Sequence, residues 1–117
     1  MIAVIFEFTA DARRREEYLQ LAAMLNEEVK GFDGFLGIER FQSLSAPDRY
    51  VSLSFWRDEE AVKRWRNSVH HRESQAAGRG GVFADYRLRV AAVLRDYGLA
   101  DRAAAPDDSK ALHDPNS

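Results

Sequence analysis

Cysteine is missing from all 117 residues. Disulfides, thiolate metal ligands and cysteine nucleophiles are therefore excluded within the chain, and a reducing compartment suits it. No apolar run approaches the roughly 18 residues of a membrane span. The basic cluster Arg13, Arg14 and Arg15 follows the first apolar run, whereas a secretory signal carries its positive charges ahead of that run. The expectation is a cytoplasmic protein with no membrane partner. Positive charge is not in excess either: Lys and Arg total 17, Asp and Glu 19, and the formal net charge is -2. A generally cationic surface for nucleic acid is not expected. No internal repeat of roughly 20 to 50 residues is present. No Gly-x-Gly-x-x-Gly follows a strand, and there is no P-loop. Gly78, Gly80 and Gly81 come after a helical stretch, not before one, and so lack the N-terminal dipole that favours phosphate.

What remains is a chain of one-domain length, 45% apolar and 31% charged, the balance of a globular protein with a core. Residues 2–9 are apolar and β-rich on both faces, as in a central strand, with Ile2, Val4, Phe6 and Phe8 on one side. Glu7 interrupts the other side, either as a strand-end carboxylate in solvent or as a polar group facing a cavity. Thr9 or Asp11 can cap a helix over residues 12–29, whose apolar stripe is Tyr18, Leu21, Ala22, Leu25 and Val29. Gly31 suits a left-handed helix end. A second strand spans 35–42 and a third spans 50–56, joined by a short loop containing Pro47, which predicts a hairpin. In the third strand Val51, Leu53 and Phe55 alternate with Tyr50, Ser52, Ser54 and Trp56.

Asp58 caps a second helix in which Ala61, Val62 and Trp65 face inward. Asn67 and Ser68 are expected to break it before a further helical piece over 69–77. The last strand spans 83–94, with Tyr86, Leu88, Val90 and Ala92 on one face. Residues 1–98 form the expected domain, and 99–117 lose all periodicity and read as a flexible tail.

The order strand, helix, strand, strand, helix, strand predicts an α+β, ferredoxin-like βαββαβ fold: a four-stranded antiparallel sheet with both helices on one face. The strands carry apolar residues on both faces, so the uncovered face needs a partner. A second copy is the commonest closed solution, giving a homodimer in which two sheets form a dimeric α+β barrel.

The stretch YVSLSFWRDEEAVKRWRNSVHHRESQ, residues 50–75, gathers both tryptophans and two of the three histidines. Adjacent His70 and His71 point about 100° apart on a helix and cannot chelate one metal together, and neither has a His, Asp or Glu four residues away. No metal site is expected. Asn67, His70 and Ser74 share one helical face, and Asn67, His71 and Gln75 a neighbouring one. One histidine is expected to face a cavity and the other solvent; surface or capping histidines are the plainer alternative.

Several of these segments resemble the antibiotic biosynthesis monooxygenase family: GFDGFLGIERF leading into the second strand, SFWRDEEAVKRW at the second helix, a histidine-bearing helix, and a Tyr-containing closing strand. The resemblance covers about residues 1–98 and implies a dimeric α+β barrel. It also implies one of three activities: cofactor-free oxygenation, haem degradation, or none established. The haem-degrading constellation, an asparagine on the first strand and a histidine ten residues after a helical tryptophan, matches only at Trp65; Glu7 and Gln75 stand at the other two positions. The resemblance thus favours a monooxygenase that oxidises an aromatic phenol or quinol with dioxygen and no metal or organic cofactor. On that reading His70 or His71 takes the phenolic proton with Asn67 beside it, Trp56, Trp65, Phe6, Phe83 and Tyr86 wall the pocket, and Arg40, Arg87 or Arg89 stabilises the anion. The rivals are a non-catalytic dimeric barrel that binds a small hydrophobic ligand, and a haem-binding or haem-degrading protein with a non-standard ligand.

Overall fold

Strand β1 (Ile2–Ala10) pairs on both edges, which is why it is apolar on both faces. The computed structural model describes residues 1–77 and 83–113, with the side chains of 69–77, 83 and 84 outside the described set. Strands β2 (Phe35–Gln42), β3 (Arg49–Trp56) and β4 (Phe83–Ala92) complete an antiparallel sheet in the order β2-β3-β1-β4. The βαββαβ order is the expected one, and the fold is ferredoxin-like α+β.

The register sorts the strand residues into transverse rows. On the helix-covered face, Arg40 lies opposite Ser52, Ser52 opposite Phe6, and Phe6 opposite Leu88. The next row is Ile38, Ser54, Val4 and Val90, and the row on the other side is Gln42, Tyr50, Phe8 and Tyr86. Phe35 joins this face only because β2 carries a bulge between Phe35 and Gly37, which leaves Leu36 as the extra, exposed residue. The opposite face bears Glu39, Leu53, Ile5 and Arg89 in one row and Phe41, Val51, Glu7 and Arg87 in the next. Glu7 therefore points away from the helices. It is held by Arg89 at 3.0 Å and Arg49 at 3.9 Å, so it does not line the cavity described below.

Asp11 accepts from the Arg13 N–H and starts a 3-10 turn (Ala12–Arg14), which passes into α1 (Arg15–Lys30). Glu16 and Glu17 in the first turn and Lys30 in the last complement the helix dipole. Asp58 accepts from the Ala61 N–H at 2.9 Å and opens α2 (Glu59–Ala77). The expected break at Asn67 and Ser68 is absent. Each costs well under 1 kcal/mol in a helix interior, too little to interrupt a helix anchored by the buried Ala61 and Val62. A short helix, α3 (Asp107–His113), stands in the segment after residue 99. The Arg102 guanidinium there lies 5.2 Å over the Tyr97 ring and donates to the Gly98 carbonyl and the Ser109 hydroxyl.

The turn between α1 and β2 corrects a second expectation. Gly31 has φ -95°, whereas Gly34 takes the left-handed region with φ +87°. Its carbonyl accepts from the Arg57 N–H at 2.8 Å, and the Arg57 side chain bridges Asp33 and Asp58. A Cβ on Gly34 would lie 2.5 Å from that of Ala61, which is fully buried at the start of α2. Both the backbone angle and the close approach demand glycine here. Gly34→Ala is expected to lower stability by about 2–3 kcal/mol, read as a shift of the urea midpoint at constant slope. A loss under about 0.5 kcal/mol would mean that the turn relaxes freely.

Candidate functional site

The core between helices and sheet is split into two aromatic clusters. At one end Val29, Trp56, Ala61 and Val62 are buried, with Phe32, Phe35 and Trp65 against them. The Trp56 and Trp65 rings lie 6.0 Å apart, and Phe32 meets Trp65 edge-on at 5.4 Å. At the other end Phe8, Tyr18 and Ala22 are buried, joined by Phe6 and Tyr50. Phe8 packs 4.8 Å from Tyr18 and 5.5 Å from Tyr50, and Phe6 lies 5.6 Å from Tyr86.

Between the clusters is a cavity of about 280 Å³, walled by α1, α2 and the inner face of all four strands. Its lining is predominantly apolar: Val4, Phe6, Leu21, Leu25, Ile38 and Leu88 among others. Polar groups enter at few points. Ser52 and Ser54 form part of the floor, and both are buried. Ser54 accepts from Trp56 Nε1 at 2.9 Å, which satisfies the indole and fixes its ring at the cavity's end. Arg40 reaches in from β2, where its Nη1 donates to Asn26 Oδ1 on α1 and its guanidinium charge acts on the nearby Tyr18 hydroxyl. Burial pushes the Tyr18 phenol above its ordinary value near 10, and Arg40 opposes that shift. Arg66 of α2 completes the polar set. Tyr86, Leu88 and Val90 of β4 are 64%, 50% and 46% exposed, so the cavity opens along that edge of the sheet.

Of the residues singled out in the sequence, Phe6, Arg40, Trp56, Trp65 and Tyr86 meet around this one cavity. Asn67 is exposed on α2 and does not line it. His70 and His71 belong to α2 and Phe83 begins β4, but their side chains lie outside the described residues. Sequence reasoning missed Asn26, Ser52, Ser54 and Arg66 and took Tyr18 only as core. Two serines on the Trp56 face of β3 were the available signal, since a strand's core face seldom carries consecutive hydroxyls without a reason. Among the described residues, no cluster of three or more His, Asp or Glu side chains is placed to hold a metal ion, and no helix is long and apolar enough to cross a membrane.

Trp56 is 1% exposed, whereas Trp65 is only half-buried and borders the cavity. Trp56→Ala should cost about 3–5 kcal/mol in urea unfolding, and Trp65→Ala about 2 kcal/mol or less. Equal losses would make Trp65 a core residue and not a cavity wall.

The profile of the family described as "Antibiotic biosynthesis monooxygenase" matches residues 1–77. A protein of Pyricularia oryzae named jasmonate monooxygenase is 45% identical over 93 residues, which is 80% of this chain and 43% of that one. The chain thus spans less than half of that relative's length. Among solved structures, the Mycobacterium tuberculosis protein Rv0793 superposes with a TM-score of 0.71 at 20% identity, over 83% of this chain and 98% of that one. A variant of SnoaB, a cofactor-independent oxygenase from Streptomyces nogalater, superposes with a TM-score of 0.67 at 15% identity, over 81% and 94%. These last two likenesses establish the shared fold. With the profile covering well over half of its residues, the chain belongs to the antibiotic biosynthesis monooxygenase family.

Proposed function

We propose that residues 1–98 form a small monooxygenase that oxidises an aromatic phenol or quinol with dioxygen inside the cavity between α1, α2 and the sheet. The observation that carries this reading is an apolar, aromatic-ended cavity of about 280 Å³ in a member of a monooxygenase family. The jasmonate monooxygenase relative supports the oxygenase class and a small substrate. The Trp56–Trp65 pair supplies flat walls for a ring.

No metal or organic cofactor is required if the substrate provides every electron. A base takes the phenolic proton, and the resulting anion delocalises onto the ring carbon para to the oxygen, which dioxygen attacks to give a peroxide there. That carbon then loses its one hydrogen as the O–O bond breaks and becomes a carbonyl, and the second oxygen atom leaves as water with the phenolic and the ring hydrogen. Phenol plus dioxygen thus gives quinone plus water, a four-electron oxidation that balances without an external reductant. His70 or His71 is the proposed base, with Arg40 stabilising the anion.

The working form is proposed to be a homodimer joined through the sheet face that the helices leave uncovered. This face has an apolar centre, with Ile5, Leu53, Val51 and Phe55, flanked by Glu39 at the β2 edge and Arg87 and Arg89 at the β4 edge. A two-fold axis parallel to the strands sets the β2 edge of one copy over the β4 edge of the other, so that Glu39 meets arginine. An axis across the strands would set like charges together.

With an anthrone as substrate, dioxygen uptake should match quinone formation mole for mole. His70→Ala or His71→Ala, whichever removes the base, should lower kcat by about 100-fold or more. Unchanged turnover in the double variant sinks the assigned base. No uptake above the uncatalysed rate, with a Soret complex on adding haemin that decays in air with ascorbate, would replace the reading with haem chemistry. Sedimentation should give a dimer at micromolar concentration; a monomer there rules out the sheet-to-sheet interface.

A further inference from the structure

Arg40 is half-buried, and its recorded partners are both neutral. Asn26 takes a hydrogen bond from it, and the Tyr18 phenol stands beside it, held above its ordinary value near 10 by burial. Among the described residues no carboxylate lies within ion-pair distance of it. By contrast Glu7 holds Arg49 and Arg89, Asp33 holds Arg57 and Arg64, and Glu17 holds Arg14. Taking a guanidinium partly out of water without a counter-charge costs free energy, and hydrogen bonds to neutral groups offset only part of that. One of its five N–H groups is used by Asn26, and the fork of a guanidinium matches a carboxylate edge.

The surroundings make Arg40 a receptor and not a strut. Its β-carbon stands in the row Arg40, Ser52, Phe6, Leu88, on the cavity face of the sheet. The hydroxyl of the buried Ser52 lies on the neighbouring strand, and the rest of that row is apolar. Asn26 on α1 pins the guanidinium from one side, next to Tyr18 of the same helix, and leaves its remaining donors for the cavity.

We infer that Arg40 is the anchor of a carboxylate-binding subsite, so that the cavity selects a small apolar molecule carrying one acid group. This rests on the cavity being the substrate site proposed above; it reassigns Arg40 from the anion formed in the reaction to a carboxylate the substrate already carries, and so adds the substrate's charge and the end at which that charge sits. Asn26 is a positioning residue that holds the guanidinium for it, with Tyr18 beside it.

The test compares matched acids and methyl esters by isothermal titration calorimetry at pH 7, using phenylacetic, 1-naphthylacetic and decanoic acids with their esters. The acid of at least one pair should bind the wild-type protein more tightly than its ester by roughly tenfold to a hundredfold. Arg40→Met should abolish that preference by weakening the acid and not the ester, and Arg40→Lys should keep part of it, since a point charge remains without the fork. Asn26→Ala should reduce the preference while leaving ester binding unchanged. If an acid and its ester bind the wild type equally, or if Arg40→Met still prefers the acid, the subsite is refuted while the cavity stands. If no member of the panel binds, the cavity itself is refuted as a ligand site, and the subsite with it. Should Arg40→Met fail to fold by circular dichroism, the Lys and Asn26 variants and the wild-type acid-to-ester ratio decide the matter.

Discussion

The antiparallel pairing of β1 on both of its edges is the constraint from which the rest follows. Side chains alternate with a period of two, so a slip of one residue would send Phe6 and Phe8 to the outer face and Glu7 into the cavity. The register is protected on both sides. Inside, Phe8 packs against Tyr18 and Tyr50; outside, Glu7 is held by Arg89 and Arg49. Exposed ion pairs of this kind contribute little to stability. Their effect here is discrimination, because the slipped register would bury a carboxylate among aromatic rings and leave two arginines unpaired.

Given that register, the cavity is a consequence of size. Bulky rings fill both ends of the space under the helices, whereas the middle of the sheet floor carries the short side chains of Ser52, between Phe6 and Arg40, and Ser54, between Val4 and Ile38. Ala22 on α1 is equally small. Two aromatic pillars keep helix and sheet apart, and short side chains between them cannot close the gap. A continuous core of leucines would be more stable, since dispersion contacts are lost around any void. Retaining hydroxyls and a half-buried guanidinium where methyl groups would pack better is the mark of a site and not of a core.

Much of this was legible in the sequence. The β3 alternation assigned Trp56 and Ser52 to one face and Leu53 to the other, and the element order led to the ferredoxin-like sheet. Period-two and period-3.6 patterns are strong because burial on one face is enforced at every repeat. The details that were not legible depend on contacts between distant segments. Gly31 and Gly34 are indistinguishable by local pattern, and only the approach of Ala61 shows which one must be glycine. Asn67 and Ser68 suggested a break because local propensity was weighed without the anchoring of α2 at Ala61 and Val62. Arg40 stood out as a strand arginine, but its partners Asn26 and Tyr18 are on another element, 14 residues away in the case of Asn26. Hydrogen bonds across elements leave no periodic trace.

The two faces of the sheet also divide the charges in a way that bears on chemistry. Outside, arginines and glutamates neutralise one another in solvent, where water screens them. Inside, the cation at Arg40 is set among apolar walls, and the same charge exerts a far stronger field there because the local dielectric is low. Its Nη1 is already committed to Asn26, so an anion placed next to it would meet a group that needs little reorganisation. Moving the arginine one residue along β2 would place it beside Leu53 on the outer face, with its charge spent on solvent. The strand pairing that protects the fold is thus also what keeps Arg40 on the cavity side of the sheet.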